Sequence, residues 1–468
     1  MASISSIVAQ HRPDLEPLQD LYKHFHQHPE LSNQEKETAA TIASELRTIS
    51  PDFVIKTGIG GHGLAAILRN GDDGGKGQGP TVLLRADMDA LPVLERTGLP
   101  YASTRRMTDV LDGVEKPVMH ACGHDMHVTC LLGAARTLVS ALGENADAWT
   151  GTLVLAFQPA EERGTGAQAM VDDGLYDPDR HAVPVPDVVL GAHVTGAART
   201  GVVGTRRGLM ATSADSMRVT LYGRGAHASM PHAAVDPVVM AASTILKLQT
   251  IVARETDPAD SAVVTVASVH AGDAENIIAD EARLSVECRA VTQRTRDRTL
   301  KRIRDIIHAE CLGAQATREP AFQTTRAFPL TINDDEVTAR VEETFAAHFG
   351  EGNGKKQVMV RKEKGEGEGK GEADDTHHSN CCRYDRDIPR FAASEDFSIL
   401  ATAVGKPYCF FMYGGVDGAA WDEAESRGTL AESIPSNHSA LFAPAIMPTL
   451  QVGIDGYAAA ALTFLGKK

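Results

Sequence analysis

The sequence predicts an α/β protein. A large domain with a mostly parallel central sheet flanked by helices carries a smaller, inserted α+β unit. Three observations point there. Short apolar runs ("FVIKT", "LAAIL", "TVLLRAD", "TLVLAF", "DVVLGAH") alternate with helical patterns such as "VTCLLGAARTLVSALG" over the first 210 residues. From Ala211 the texture changes to strand, helix, two strands, helix. Near Asn333 the first texture resumes.

In order along the chain, Leu15, Leu18, Leu21, Tyr22 and Phe25 recur at helical spacing, and Pro29 ends that helix. Ser32 stands three residues before Glu35, a capping-box pattern opening a second helix over "EKETAATIASELRTI". "GIGGHG" matches the dinucleotide fingerprint at Gly58, Gly60 and Gly63. No helix follows it, because "LAAILRN" is short and ends in Asn70-Gly71, so strand–turn–strand is expected. In the inserted unit "DSMRVTLYGRG", "SAVVTVASVHAG" and "EARLSVECRAV" alternate as strands, and "DPVVMAASTILKLQTIVA" and "TRDRTLKRIRDIIHAEC" read as helices. The expected domains are 1–210 with 326–468, and 211–325 between them. Residues 354–386 read as a flexible insertion, Gly-rich and charged with little to bury.

The 468 residues allow roughly two or three domains of about 150 residues each. A net charge of −16 argues against nucleic-acid or anionic-membrane partners, which call for clustered Lys and Arg. No stretch approaches the ~18 consecutive apolar residues of a membrane helix. The first residues lack the pattern of a secretory signal. Seven scattered cysteines fit a reducing cytoplasm.

Ligands of open α/β sheets bind beyond the carboxyl ends of the strands. There the apolar runs end in Asp87, in Glu161 and Glu162, and in His193. Cys122 and His124, in "VMHACGHDMH", stand immediately before an amphipathic helix, and His438 lies in a polar loop. One such residue is ordinary; together they are the donor types of a metal site. His24, His26 and His28 are read as structural, since no carboxylate accompanies them. His377, His378, Cys381 and Cys382 lack rigid surroundings for a second site.

"RADMDALPVLE", "HACGHDMH", "FQPAEERGTGAQAMVDDGL", "GAHV", "GRGAHASMPHAAVDP", "ENIIADEARL" and "SEDFS" follow one another in this order. In these the chain resembles the aminoacylase-related metal-dependent amidohydrolases, in the branch of hippurate hydrolase and the indole-acetyl-amino acid conjugate hydrolases. The resemblance runs from about Leu18 to Leu462. It implies a ferredoxin-like lid and dimerisation domain, and two divalent metal ions (manganese or zinc, with cobalt or nickel possible ligand partners of the same donors). Cys122, His124, Glu162, His193 and His438 would hold them. Glu161 matches the general base and Asp87 an aspartate that orients a ligand. Arg85 stands where other branches carry a histidine ligand. His227 matches a lid histidine that reaches a partner's active site, and Asn276 and Arg289 match holders of the substrate carboxylate. The implied reaction is hydrolysis of the amide of a small N-acyl amino acid in a homodimer. The alternatives are a dipeptidase or carboxypeptidase of the same architecture, and a non-catalytic metal-binding protein, against which the intact Glu161 speaks.

Overall fold

The computed structural model describes residues 3–71, 79–351, 382–391 and 393–465. The strands of its two larger sheets are β1 (Val54–Ile59), β2 (Gly63–Asn70), β3 (Thr81–Asp87), β4 (Gly151–Gln158), β5 (Val188–Arg199), β6 (Val202–Gly204), β7 (Ser213–Tyr222), β8 (Ala262–His270), β9 (Glu281–Ala290), β10 (Ala321–Phe328), β11 (Arg383–Asp385) and β12 (Tyr408–Val416). The helices that matter here are α1 (Glu16–Gln27), α2 (Lys36–Ile49), α3 (His124–Glu144), α4 (Pro237–Thr250), α5 (Gln293–Gly313), α6 (Asp335–Phe349) and α7 (Ile446–Leu465).

The central sheet has the order β1-β2-β4-β3-β5-β12-β6-β11. Its middle strands β4, β3, β5 and β12 are parallel, while β1 and β2 join as an antiparallel ribbon. "GIGGHG" is therefore a strand–turn–strand, as expected. Parallel strands covered on both sides must be apolar throughout. Alternation sends Val82, Leu84 and Ala86 to the core under α3 and α7, and Leu83 to the core of Met170, Phe397 and Phe410. The same alternation leaves Arg85 and Asp87 on the Leu83 side. Each large apolar side chain buried in these layers contributes about 1.5–3 kcal/mol. By length and composition α3 is apolar enough to cross a membrane, contrary to the expectation that no stretch is. Yet 72% of its apolar window is buried inside the protein, as befits a core helix.

The second sheet, β8-β9-β7-β10, is antiparallel and carries α4 and α5 on one face. Its fourth strand, β10, continues to Phe328, past the boundary expected at 325. Residues 383–385, expected in the flexible insertion, form β11 and pair in parallel with β6. His377, His378 and Cys381 lie outside the described residues.

Ser32 does not cap α2. Its hydroxyl donates to Asp89 at 2.6 Å, and Glu35 accepts from Asn33 and Ala160 N–H. Glu30 instead accepts from Thr38 N–H in the first turn of α2. A Ser–Glu pair can serve a helix end or a distant partner with the same spacing, and here the distant partners win.

The carboxylates missing from the neighbourhood of His26 in sequence arrive through the fold. His26 is fully buried, with Nδ1 2.6 Å from Asp125 and Nε2 3.1 Å from Glu95. This pins α1 to the first turn of α3, the turn that carries His124. Burial alone would lower the pKa of His26; the bonds to Asp125 and Glu95 outweigh it and raise it from 6.5 to about 9. A raised folded-state pKa stabilises fully below the unfolded value and is lost as pH climbs through the folded one. We therefore expect denaturant stability to fall between about pH 6.5 and 9 from this source. In His26→Ala that slope should vanish, with a loss at pH 6 of about 3–5 kcal/mol, the cost of orphaning buried partners. An unchanged pH slope in the variant would show that His26 is not the titrating group.

Candidate metal centre

Strand β3 pairs with β5 only as far as Arg85 opposite Gly191. Asp87 and His193 lie just beyond, where the strands have parted. His193 is thus inside β5, which continues to Arg199, rather than at its end. His127 of α3 wedges the gap. Its Nδ1 donates to Asp87 at 2.5 Å, and its Nε2 accepts Val194 N–H at 2.8 Å. With both ring nitrogens engaged, His127 holds the opening between the two strands.

Cys122 and His124 are swung to the same side by Gly123, whose φ is +88°. A Cβ there would stand 2.4 Å from Val194, so no other residue fits the turn. Across the cleft, Ala160 adopts the left-handed region (φ +48°) and turns the chain sharply after β4. The Glu161 and Glu162 N–H groups both donate to the Asp89 carboxylate at 3.1 Å. Asp89 thereby sets the direction of both glutamates. His438 arrives on a loop clamped by Asn437, whose amide donates to the carbonyls of Cys122 and Val194 and accepts from Gly196 N–H.

These segments bring together all five residues expected to bind metal. Ligand atoms of Cys122, His124 and His193 lie within 4.8 Å of one another, as do those of Cys122, Glu162 and His438. The thiol is 3.4 Å from His193 Nε2, and Glu162 Oε1 is 3.3 Å from His438 Nε2 and 3.8 Å from His124 Nε2. Both inner imidazoles are set to present Nε2. His124 donates through Nδ1 to the Asp89 carbonyl at 2.8 Å, and His193 through Nδ1 to the Val194 carbonyl at 2.6 Å. His124 Nε2 and Glu162 Oε1 are buried and have no hydrogen-bond partner. Buried polar atoms are almost always satisfied. Two of them converging with a thiol and a second imidazole fit a soft-to-borderline divalent cation, and the shared Cys122 joins two such groups.

Buried acids dominate the protonation of the cluster. Burial, then Glu162, Glu161 and Asp87, hold the Cys122 thiol well above its ordinary pKa. Burial, then Glu395, Glu162 and Asp396, push Glu161 well above the usual carboxylate range. Burial lowers His124, but Asp87 and Asp89 raise it on balance to about 10. Asp87 bonds His127 and Arg85; the orientation of His124 comes from Asp89. Arg85 is fully buried and also donates to Gln158 and Glu395 at 2.8 Å.

The lid residues divide. Arg289 lines the cleft with Cys122, Glu161, Glu162, His193 and His438. His227 and Asn276 line a separate lid cavity of about 1240 Å³ that contains none of the metal cluster. Sequence reading passed over Asp89, His127, Asn437, Glu395 and Asp396. The repeated acids of "RADMD" and "SEDFS" and the second histidine of "HDMH" were the available signals.

Residues 83–364 match the profile of peptidase family M20/M25/M40. The chain belongs to this family, and it is an amide hydrolase. It is 36% identical over 330 residues to the N-acetyl-L-cysteine deacetylase of Bacillus subtilis (strain 168), covering 70% of this chain and 71% of that one. It is 37% identical over 331 residues to the hippurate hydrolase of Campylobacter jejuni, covering 70% and 78%. Among solved structures, a protein of methicillin-resistant Staphylococcus aureus aligns over 98% of this chain and 100% of its own, with a TM-score of 0.76 and 27% identity. The fold is shared with the Bacillus subtilis YXEP protein, a dinuclear metal-binding peptidase, at a TM-score of 0.67 and 23% identity over 96% and 98%.

Substituting Asp89 with Ala releases the Glu161–Glu162 turn and the Ser32 contact. Loss of such outer support typically costs about 10- to 100-fold in metal affinity. Competition against a chelating dye measures it, and wild-type affinity in Asp89→Ala would remove Asp89 from this role.

Proposed function

We propose that the chain hydrolyses the amide bond of N-acyl amino acids, with Glu161 as the general base and Cys122, His124, Glu162, His193 and His438 holding two divalent cations. The observation that carries this is the placement of Glu161. Its carboxylate stands 4.0 Å from His124 Nε2, beside the ligand cluster. Burial and the Glu395, Glu162 and Asp396 carboxylates raise its affinity for a proton, which suits a group that takes a proton and then passes it on. Divalent cations, zinc by the donor set or manganese by the resemblance, would when bound here supply polarisation of the amide carbonyl and acidification of a water molecule. Glu161 takes a proton from the attacking water at its carboxylate as the water oxygen bonds to the amide carbon, and delivers it to the leaving nitrogen as the C–N bond breaks. Asp89 keeps the carboxylate aimed while Glu162 stays with the ligands.

Next to the cleft lies a cavity of about 790 Å³, sharing His438 and Arg289 with it. Met412, Phe391, Trp421, Leu430 and Ile434 line it, and apolar walls of this kind suit an apolar acyl group. Hippurate hydrolase and the plant indole-acetyl-amino acid hydrolase, 35% identical over 317 residues, act on such acyl amides by their names. A carboxypeptidase reading is favoured by the identity to two thermostable carboxypeptidases of Saccharolobus solfataricus, 34% over 319 residues and 33% over 341. Metal-reconstituted enzyme assayed on N-acyl amino acids against peptides, with EDTA controls, separates the two.

Glu161→Gln should keep wild-type metal content and lose about 10²–10⁴-fold in kcat, the usual contribution of a positioned acid–base group. Retained turnover removes Glu161 as the base. We further propose that His227 acts across a homodimer formed by the lid, supported by its place in a lid cavity that none of its own cluster lines. Mixing inactive Glu161→Gln and His227→Ala proteins should then restore part of the activity. Absence of rescue from a mixture shown to exchange subunits refutes action in trans.

A further inference from the structure

We propose that Arg163 and Asp109 are positioning residues for the general base, through which the ribbon of residues 106–117 braces the turn that carries Glu161. The inference rests on the N-acyl amino acid reading above. Glu161, Glu162 and Arg163 form one 3-10 turn. Left-handed residues bound it, Ala160 at φ +48° and Gly164 at φ +62°. Its internal hydrogen bonds run from Gly164 N–H to the Glu161 carbonyl and from Gly166 N–H to the Ala160 carbonyl. They close the turn on itself without fixing it to its surroundings. Asp89 fixes the first half, through the Glu161 and Glu162 N–H groups. The second half is fixed by the Arg163 side chain, whose Nη2 donates to both Asp109 oxygens at 2.9 and 3.0 Å.

Asp109 is a fixed point. It is buried, and its carboxylate also accepts from Leu111 N–H and from Lys116 Nζ, each at 2.9 Å. It stands at the turn between the paired segments Arg106–Thr108 and Glu115–Pro117. Gln34 ties this ribbon down at the Thr108 carbonyl and the Val110 N–H. The next residue, Glu35, accepts the Ala160 N–H at 2.8 Å. The ribbon and its tether thus reach both ends of the catalytic turn, Ala160 before Glu161 and Arg163 after Glu162. Packing does not explain the ribbon, because Val110, Leu111 and Val114 at its tip are exposed and add nothing to the core. Optimal pairing does not explain the bond either. A guanidinium at its best binds a carboxylate with two parallel hydrogen bonds from two nitrogens. Here one nitrogen spans both oxygens, and the buried Nε has no hydrogen-bond partner among the described residues. A buried ion pair contributes little net stability, yet losing one member leaves the other charge unmatched. The pair therefore holds the turn in one place more than it strengthens the fold.

The test is steady-state hydrolysis of N-benzoylglycine and N-acetylmethionine by metal-replete protein. Arg163→Met and Asp109→Asn should each lower kcat roughly 10- to 100-fold at unchanged KM and metal content, since a catalytic group displaced by about 1 Å can cost about 100-fold. The two changes together should cost no more than either alone, as for residues that act as one unit. Arg163→Lys, which keeps the charge, should recover part of the rate. In a Glu161→Gln background, Arg163→Met should leave the residual kcat unchanged, because Arg163 acts through Glu161. Leu111→Ser, at the exposed tip, should keep the wild-type rate. Wild-type kcat in Arg163→Met overturns the assignment while leaving the hydrolase reading intact. So does the same fold-loss in the Glu161→Gln background, or a loss of bound metal that accounts for the lower rate. Should Arg163→Met fail to fold, Asp109→Asn and Arg163→Lys carry the same comparison. A metal-loaded wild type that cleaves no N-acyl amino acid overturns both.

Discussion

Arg85 is bonded to Asp87, Glu395 and Gln158 without access to water, and around it crowd Glu161 and Asp396, with Glu162 beyond. One guanidinium cannot offset so many buried carboxylates. The excess is met by protons, which is why Glu161 is raised and Asp396 is pushed up to about 8, chiefly by burial and then by Glu395. It can equally be met by divalent cations at the adjoining cluster. The resemblance that places a histidine ligand at this position in other branches finds a fixed charge here. The acids of "SEDFS" are its counterpart, supplied from some 310 residues further along the chain.

The same corner of the fold depends on where strands stop pairing. β3 and β5 separate after Arg85, and His127 fills the gap with a hydrogen bond to each side. Gly123 and Ala160 then supply left-handed turns that bring a thiol, an imidazole and two carboxylates to one point. Asn437 closes the arrangement by clamping the His438 loop onto the Cys122 and Val194 carbonyls. Backbone polar groups at these irregular positions are satisfied by side chains, which hold the turns in place.

The lid sheet works with two unlike faces. Helices α4 and α5 cover one in apolar contact, while Ala214, Ser216, Glu287, Arg289, Arg326 and Phe328 present a polar face to the cleft. A cleft between a catalytic floor and a lid lets closure exclude water, which strengthens every charge interaction inside it.

The sequence by itself determined the layered architecture and offered the donor residues that the fold gathers. Periods of two and 3.6 are local properties, and Asp87, Glu161, Glu162 and His193 announce themselves by following apolar runs. Tertiary structure decided the partners. Ser32 and Glu35 read as a helix cap and instead support Asp89 and the Ala160 turn. His26 has no acid near it in sequence and two in space. A bulge of one residue reversed the face on which Arg326 lies. Hydrogen bonds and charges act over a few ångströms regardless of separation along the chain, so only folding reveals which of several chemically equal partners a side chain meets.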